Sequence, residues 1–87
     1  MKEKIRSTIN DIIIVLQDNN ERYWGNIFKE YLILLDGDYE QCIYNMKTLY
    51  GGMGSFNDLV LHKAGIPDKD ENNKLDLLRH ELYGLLK

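Results

Sequence analysis

Apolar residues recur every three or four positions along most of this chain of 87 residues, and that spacing constrains its fold more than any other feature. A helix predicted over residues 2–18 carries five of them on one face: Ile5, Ile9, Ile12, Ile13 and Leu16. Residues 12–16 are rich in β-branched side chains, which also suit a strand, but the chain has no second run of this kind to pair with them. A single proline, Pro67, leaves room for long unbroken helices.

The same spacing predicts further helices over residues 20–35, 39–50, 56–63 and 72–86. Asn19 and Asn20 are suited to cap the second helix, Gly37 to end it in the left-handed conformation, and Asp38 to cap the third. Short connections favour antiparallel neighbours. We therefore predict a single all-α domain over residues 1–87, a compact bundle of four main helices plus one short helix after a glycine-rich corner.

The corner is the run Gly-Gly-Met-Gly-Ser at residues 51–55, and it invites two interpretations. A phosphate-binding loop would use backbone N–H groups at the start of the following helix. However, no lysine precedes Ser55, a helix rather than a strand is predicted before the run, and Asp58 would repel a phosphate there. We therefore interpret the run as a helix–helix corner. Gly51 would end one helix in the left-handed conformation, Ser55 would cap the next, and Gly65 would end that next helix.

The formal net charge of −3 is concentrated in one part of the chain. Basic and acidic residues balance within residues 1–35 and again within 59–87, whereas residues 36–58 carry four carboxylates and one lysine. Nucleic-acid binding needs clustered lysine and arginine, so it is disfavoured. A basic protein partner suits the acidic segment better.

No residue pattern points to catalysis, a cofactor or a metal ion. Cys42, the single cysteine, falls on an apolar helical face and is predicted to be a small buried side chain. His62 and His80 lack a second ligand one turn away, and the acidic segment lacks the remaining ligands of a calcium loop. We therefore expect a protein that is not an enzyme. The N-terminal residues resemble no secretory signal and the longest apolar run is too short to span a bilayer, which predicts a cytoplasmic protein without membrane contact.

The block YGGMGSFNDLVL at residues 50–61 resembles a marker block in a family of small bacterial proteins of similar length. Some members of that family look like immunity proteins, which are cognate inhibitors encoded beside secreted or contact-delivered toxins. The resemblance implies a small, acidic, cytoplasmic protein without catalytic groups. It also implies a toxin partner, often a nuclease whose active-site cleft is basic.

These features lead to the hypothesis of an immunity protein that binds a basic toxin domain encoded nearby, such as a contact-dependent inhibition nuclease, and blocks its active-site cleft. The predicted contact residues are Asp36, Asp38, Glu40, Tyr44, Ser55, Asn57 and Asp58. The alternative is a regulatory or structural interaction module without a toxin. One form of it is a homodimer through spare apolar residues either of the first helix, Ile14 and Val15, or of the last helix, Leu77 and Leu86.

Overall fold

The computed structural model describes residues 1–51 and 55–87, and these residues form four α-helices. The helices are α1 (Lys2–Asp18), α2 (Arg22–Gly37), α3 (Tyr39–Lys47) and α4 (Lys69–Leu86). Between α3 and α4 lie two 3₁₀ turns and a hairpin of two short strands: Thr48–Tyr50, Phe56–Asp58, β1 (His62–Lys63) and β2 (Ile66–Pro67). The predicted all-α fold with four main helices is confirmed.

Helix α1 is central, because it packs against both α2 and α4. Both neighbours run antiparallel to it. Arg6, near the start of α1, pairs with Asp36 at the end of α2, and Asn19, just after α1, donates a hydrogen bond to Glu71 in the first turn of α4 (3.0 Å). Burial by neighbours on two sides outweighs the strand preference of residues 12–16. The buried residues of α1 are Ile5, Thr8, Ile9, Ile12, Ile13, Val15 and Leu16.

Phe56 anchors the corner in the core. Its ring lies 4.8 Å from that of Phe28 and 5.3 Å from that of Trp24, both on α2, and it is fully buried. Burying a phenylalanine side chain stabilises a fold by roughly 1.5–3 kcal/mol. Phe56 is thus part of the core, whereas the middle of the predicted helix–helix corner, at Gly52, Met53 and Gly54, lies outside the described residues.

The helix predicted over residues 56–63 is wrong. After the turn at Phe56–Asp58 the chain extends, and β1 pairs with β2 in an antiparallel hairpin. Ala64 and Gly65 both have positive φ, 53° and 80°, as a type I′ hairpin turn requires. Gly65 therefore takes a left-handed conformation within a hairpin, not at the end of a helix.

Several predicted helix ends also differ from those observed. Glu21, not Asn19 or Asn20, occupies the N-cap position of α2, without a capping hydrogen bond from its side chain, and Asn20 adopts a positive φ of 58°. Gly37 is the last residue of α2 and is not left-handed. Gly51 is extended, with φ −112° and ψ 130°, because the chain leaves α3 through a 3₁₀ turn.

Two aspartates cap the N-termini of helices through their side chains. Asp38 caps α3, as predicted, by accepting a hydrogen bond from the backbone N–H of Gln41 (3.1 Å). Asp68 caps α4 in the same way through the N–H of Glu71 (3.2 Å). The last helix consequently begins at Lys69, three residues earlier than the sequence pattern indicated.

Candidate protein-interaction surface

Helix α3 carries three of the predicted contact residues on its exposed side: Asp38, Glu40 and Tyr44. Glu40 and Tyr44 are four residues apart, so they are neighbours on the helix surface. The Tyr44 side chain is 67% exposed, and an exposed tyrosine offers a large and rigid contact area with a polar tip. On the opposite side of α3, Cys42 and Met46 are fully buried and fix the orientation of the helix.

Asp36 already has partners within the chain. Arg6 donates two hydrogen bonds to its carboxylate, at 2.7 and 3.1 Å, and the Lys2 ammonium lies 3.3 Å away. Pairing with Arg6, assisted by Lys2, lowers the pKa of Asp36 to about 2, and the same pairing raises the pKa of the Arg6 guanidinium. Two cations thus face one carboxylate, so the surface around Asp36 is not locally acidic.

Asn57 lies at the corner, in a groove of about 330 Å³ that it shares with residues of α4. The rings of Tyr50 and Tyr83 meet edge to face in this groove, with centroids 5.1 Å apart. The Tyr50 hydroxyl donates a hydrogen bond to the carbonyl of Arg79 (2.8 Å), and burial raises its pKa, so the hydroxyl keeps its proton at neutral pH. The groove therefore combines two aromatic rings with the polar side chains of Asn57 and His80.

Arg79 holds the corner against α4 from inside the fold. Its side chain is buried, and its Nη1 donates to the carbonyl of Phe56 (2.8 Å) and to that of Leu59 (3.0 Å). Its Nη2 pairs with Asp76, and its guanidinium lies 5.6 Å from the centre of the Phe56 ring. The sequence interpretation missed this residue, although its spacing from Leu75 and Leu82 already places it on the apolar face of α4.

Ser55 and Asp58 frame the turn at the corner. Ser55 makes no side-chain cap bond, so its predicted capping role is wrong, and its buried Oγ has no hydrogen-bond partner in the described part of the chain. Asp58 is exposed, and its backbone N–H donates to the carbonyl of Ser55 (3.0 Å). Only one 3₁₀ turn follows Ser55, so residues 55–61 provide no helix N-terminus of the kind that binds phosphate.

The predicted contact residues fall into two groups. Asp36, Asp38 and Glu40 lie near the start of α3, whereas Ser55, Asn57 and Asp58 lie at the turn that packs against the 3₁₀ turn after α3. Tyr44 lies between the two groups, on α3 itself. The nine residues of α3 span about 14 Å at a rise of 1.5 Å per residue. The two groups are therefore separated by roughly the length of α3.

Both histidines and the single cysteine lie within residues 1–51 and 55–87. Those residues contain no cluster of three or more His, Cys, Asp or Glu side chains placed to hold a metal ion. His62 and His80 each have a ring nitrogen within 3.0 Å of a backbone carbonyl. Cys42 is buried, as predicted; its thiol contacts the carbonyl of Tyr31 (3.4 Å), and burial raises its pKa, which disfavours the reactive thiolate. No helix in the described chain is both long and apolar enough to cross a bilayer.

The fold and this surface define a small all-α protein with an exposed, polar and aromatic face. Residues 17–68 match a family described as a domain of unknown function, DUF6966, and since this is more than half of the chain, the chain belongs to that family. The matched range runs from the last turn of α1 to the N-cap of α4 and includes α2, α3 and the hairpin. No curated protein and no solved structure matches the chain.

Proposed function

We propose that this chain is an immunity-type protein that acts in the cytoplasm, binds a basic toxin domain encoded nearby and blocks the active-site cleft of that domain. The observation that carries the proposal is the exposed side of α3, where Tyr44 lies one turn from Glu40, with the exposed carboxylate of Asp38 at the start of the same helix. An exposed tyrosine beside carboxylates combines an anchor for burial with charge that attracts a basic surface.

The physical properties of α3 suit this role. The helix is held by buried residues on its inner side, so its outer side chains are presented on an ordered backbone, which limits the ordering cost of binding. A standard interface takes about 800 Å² from each partner. The described molecule exposes 5691 Å², so an interface of that size would use roughly one seventh of its surface.

Asp36 contributes less to this attraction than Asp38 or Glu40. Its charge is balanced by Arg6 and Lys2, and a basic partner would have to compete with both. Carboxylates without such partners attract a basic cleft more effectively, and they compete there with the phosphates of a nuclease substrate.

The experiment is coexpression with the product of the adjacent gene, followed by copurification and a test of growth protection. Tyr44→Ala should weaken the complex by about tenfold or more, the effect expected of an aromatic anchor. Tyr23→Ala is the matched control, since Tyr23 is similarly exposed but belongs to α2. Glu40→Lys should slow association and reduce its dependence on salt. Absence of both a complex and protection would refute the proposal.

A further inference from the structure

A groove of about 890 Å³ lies at the end of the bundle opposite the Arg6–Asp36 pair. It is bounded by the end of α1, the hairpin and the first turns of α4. Its charged lining consists of four carboxylates and two lysines: Asp18, Asp68, Asp70, Glu71, Lys63 and Lys74. This groove lies outside the acidic segment on which the sequence prediction was based.

Two large apolar side chains are exposed on the same side of the molecule. Leu77, 72% exposed, lines the groove, and Ile14, 55% exposed, precedes the groove residue Asp18 by one helical turn. The bond between Asn19 and Glu71 sets the antiparallel register of α1 and α4, and it places Ile14 at the level of Leu77. The two side chains therefore lie at about the same level on adjacent helices, each on the side opposite the buried face of its helix, and we refer to them as the apolar pair.

The charge around this pair is predominantly negative. Lys74 is engaged by Glu71, with 2.8 Å between ammonium and carboxylate. That ion pair is the main reason the pKa of Lys74 is raised, and nearby Asp18 and Asp70 raise it further. Lys63 also lines the groove, but carboxylates outnumber lysines there by four to two, so the net charge is negative, with Asp18 on α1 and Asp70 on α4 among the carboxylates. Apolar side chains at the centre and charged groups at the rim are the usual anatomy of a protein interface.

We propose that the α1/α4 face, defined by Ile14, Asp18, Asp70 and Leu77, docks a basic amphipathic helix of a protein partner. Two packed helices present a groove that a third helix fills at an interaxial distance of about 8–10 Å. The apolar side of the incoming helix covers Ile14 and Leu77, and its lysines or arginines reach Asp18 and Asp70.

A second copy of the chain fits this face less well. In a symmetric dimer the same patch meets itself, so the carboxylates around each apolar pair would be brought close to their own copies. Like charges set against each other across an interface oppose association. The α1/α4 face is also separate from the exposed side of α3, so the inference does not depend on the proposed toxin partner.

The test is a nuclear magnetic resonance titration of the isotope-labelled protein with a synthetic Leu-Lys amphipathic helical peptide. A Leu-Glu peptide of the same pattern is the control. We expect saturable shifts centred on Ile14, Asp18, Asp70 and Leu77 with the Leu-Lys peptide, weakening as salt is added, and no saturable response to the Leu-Glu peptide. Shifts centred elsewhere, equal binding of both peptides, or no saturable binding would overturn the proposal.

Variants with matched controls test whether the Leu-Lys peptide binds at the α1/α4 face. Ile14→Ser with Leu77→Ser should reduce affinity for the Leu-Lys peptide by about tenfold or more, whereas Ile33→Ser should leave it unchanged. Ile33 is 76% exposed but lies on α2, so it controls for the loss of an exposed apolar side chain.

Asp18→Asn with Asp70→Asn should weaken binding of the Leu-Lys peptide and make its affinity less dependent on salt concentration. Equal losses for Ile33→Ser and the double serine variant would contradict the proposal. A dimer in sedimentation that the double serine variant abolishes would assign the face to a second copy instead.

Discussion

The guanidinium of Arg79, on α4, contacts two backbone carbonyls and an aromatic ring of the corner, and it pairs with Asp76 of its own helix. Its place on the apolar face of α4 was predictable from its spacing relative to Leu75, Leu82 and Leu86. Its partners were not, because Leu59 and Phe56 lie 20 and 23 residues earlier and local spacing carries no information on that distance. The sequence therefore indicated a buried arginine but not its role.

Arg79→Met is expected to lower the free energy of unfolding by about 2–4 kcal/mol, because it removes the Arg79 donor from the Leu59 carbonyl and one of the two donors from the buried Phe56 carbonyl, which keeps the N–H of Leu59 (3.1 Å). Methionine keeps most of the apolar volume, so the loss reports the missing hydrogen bonds rather than a large cavity. Urea denaturation followed by circular dichroism measures the change.

Lys74→Met is the matched control for Arg79→Met, since it removes an exposed cation from the same helix. Its exposed ion pair with Glu71 should contribute less than about 1 kcal/mol. If Arg79→Met proves as stable as Lys74→Met, the carbonyl contacts of Arg79 do not hold the corner.

At the scale of elements, the long periodic segments were predictable and the short one was not. Helix α1 has the bounds that its apolar spacing predicts, because its 17 residues give a continuous buried face. Residues 56–63 offered barely two turns of similar spacing, too few for a helix to form without tertiary support. Their structure depends instead on contacts from α4, where Asn72 binds the backbone of Leu61, and on the left-handed pair Ala64 and Gly65.

Asn72→Ala is expected to destabilise the fold by about 1–3 kcal/mol, since the N–H of buried Leu61 would lose its acceptor and the Leu61 carbonyl would lose one of its two donors, keeping the N–H of Asp68 (2.9 Å). The Asn72 side chain accepts a hydrogen bond from the Leu61 N–H (2.7 Å) and donates one to the Leu61 carbonyl (2.9 Å). Hydrogen exchange at the Leu61 amide, measured together with chemical denaturation, should show faster exchange in the variant.

Asn73→Ala provides the control for Asn72→Ala, because Asn73 is the exposed neighbour in the same turn of α4. Alanine has the higher helix propensity, so this change should be neutral or slightly stabilising. Equal effects of the two substitutions would show that the bonds from Asn72 to Leu61 contribute nothing specific.

At the scale of the whole molecule, the periodic pattern was sufficient to predict an all-α bundle but not which side chains meet at its ends. The antiparallel packing of α1 with α2 brings Arg6 and Lys2 to Asp36, 30 or more residues away in sequence. The same topology brings the end of α1 to the start of α4 and creates the groove around Asp18 and Asp70. The count of charged residues in residues 36–58 therefore overstated the negative charge near Asp36. It also missed the acidic groove around Asp18 and Asp70.

Cys42 allows the cooperativity of the whole fold to be measured, because it is the single thiol of the chain and is fully buried. If the bundle opens as one unit, a thiol reagent should label Cys42 at least about a thousandfold more slowly than a free thiol, as a stability of roughly 5 kcal/mol or more implies. Arg79→Met should then accelerate labelling by about tenfold for each 1.4 kcal/mol that it costs.

The reference for this measurement is a Cys42→Ser protein that carries Ser7→Cys, since Ser7 is exposed on α1 and its replacement should react at the rate of a free thiol. Labelling of Cys42 at that reference rate would mean that α3 separates from the bundle on its own under native conditions. Slow labelling that Arg79→Met fails to accelerate would mean that α3 opens independently of the corner. A cooperative bundle predicts slow labelling of Cys42 that Arg79→Met accelerates in proportion to the stability it removes. That result would mean that α1 couples α2 to α4 and that α3 remains packed until the whole fold opens.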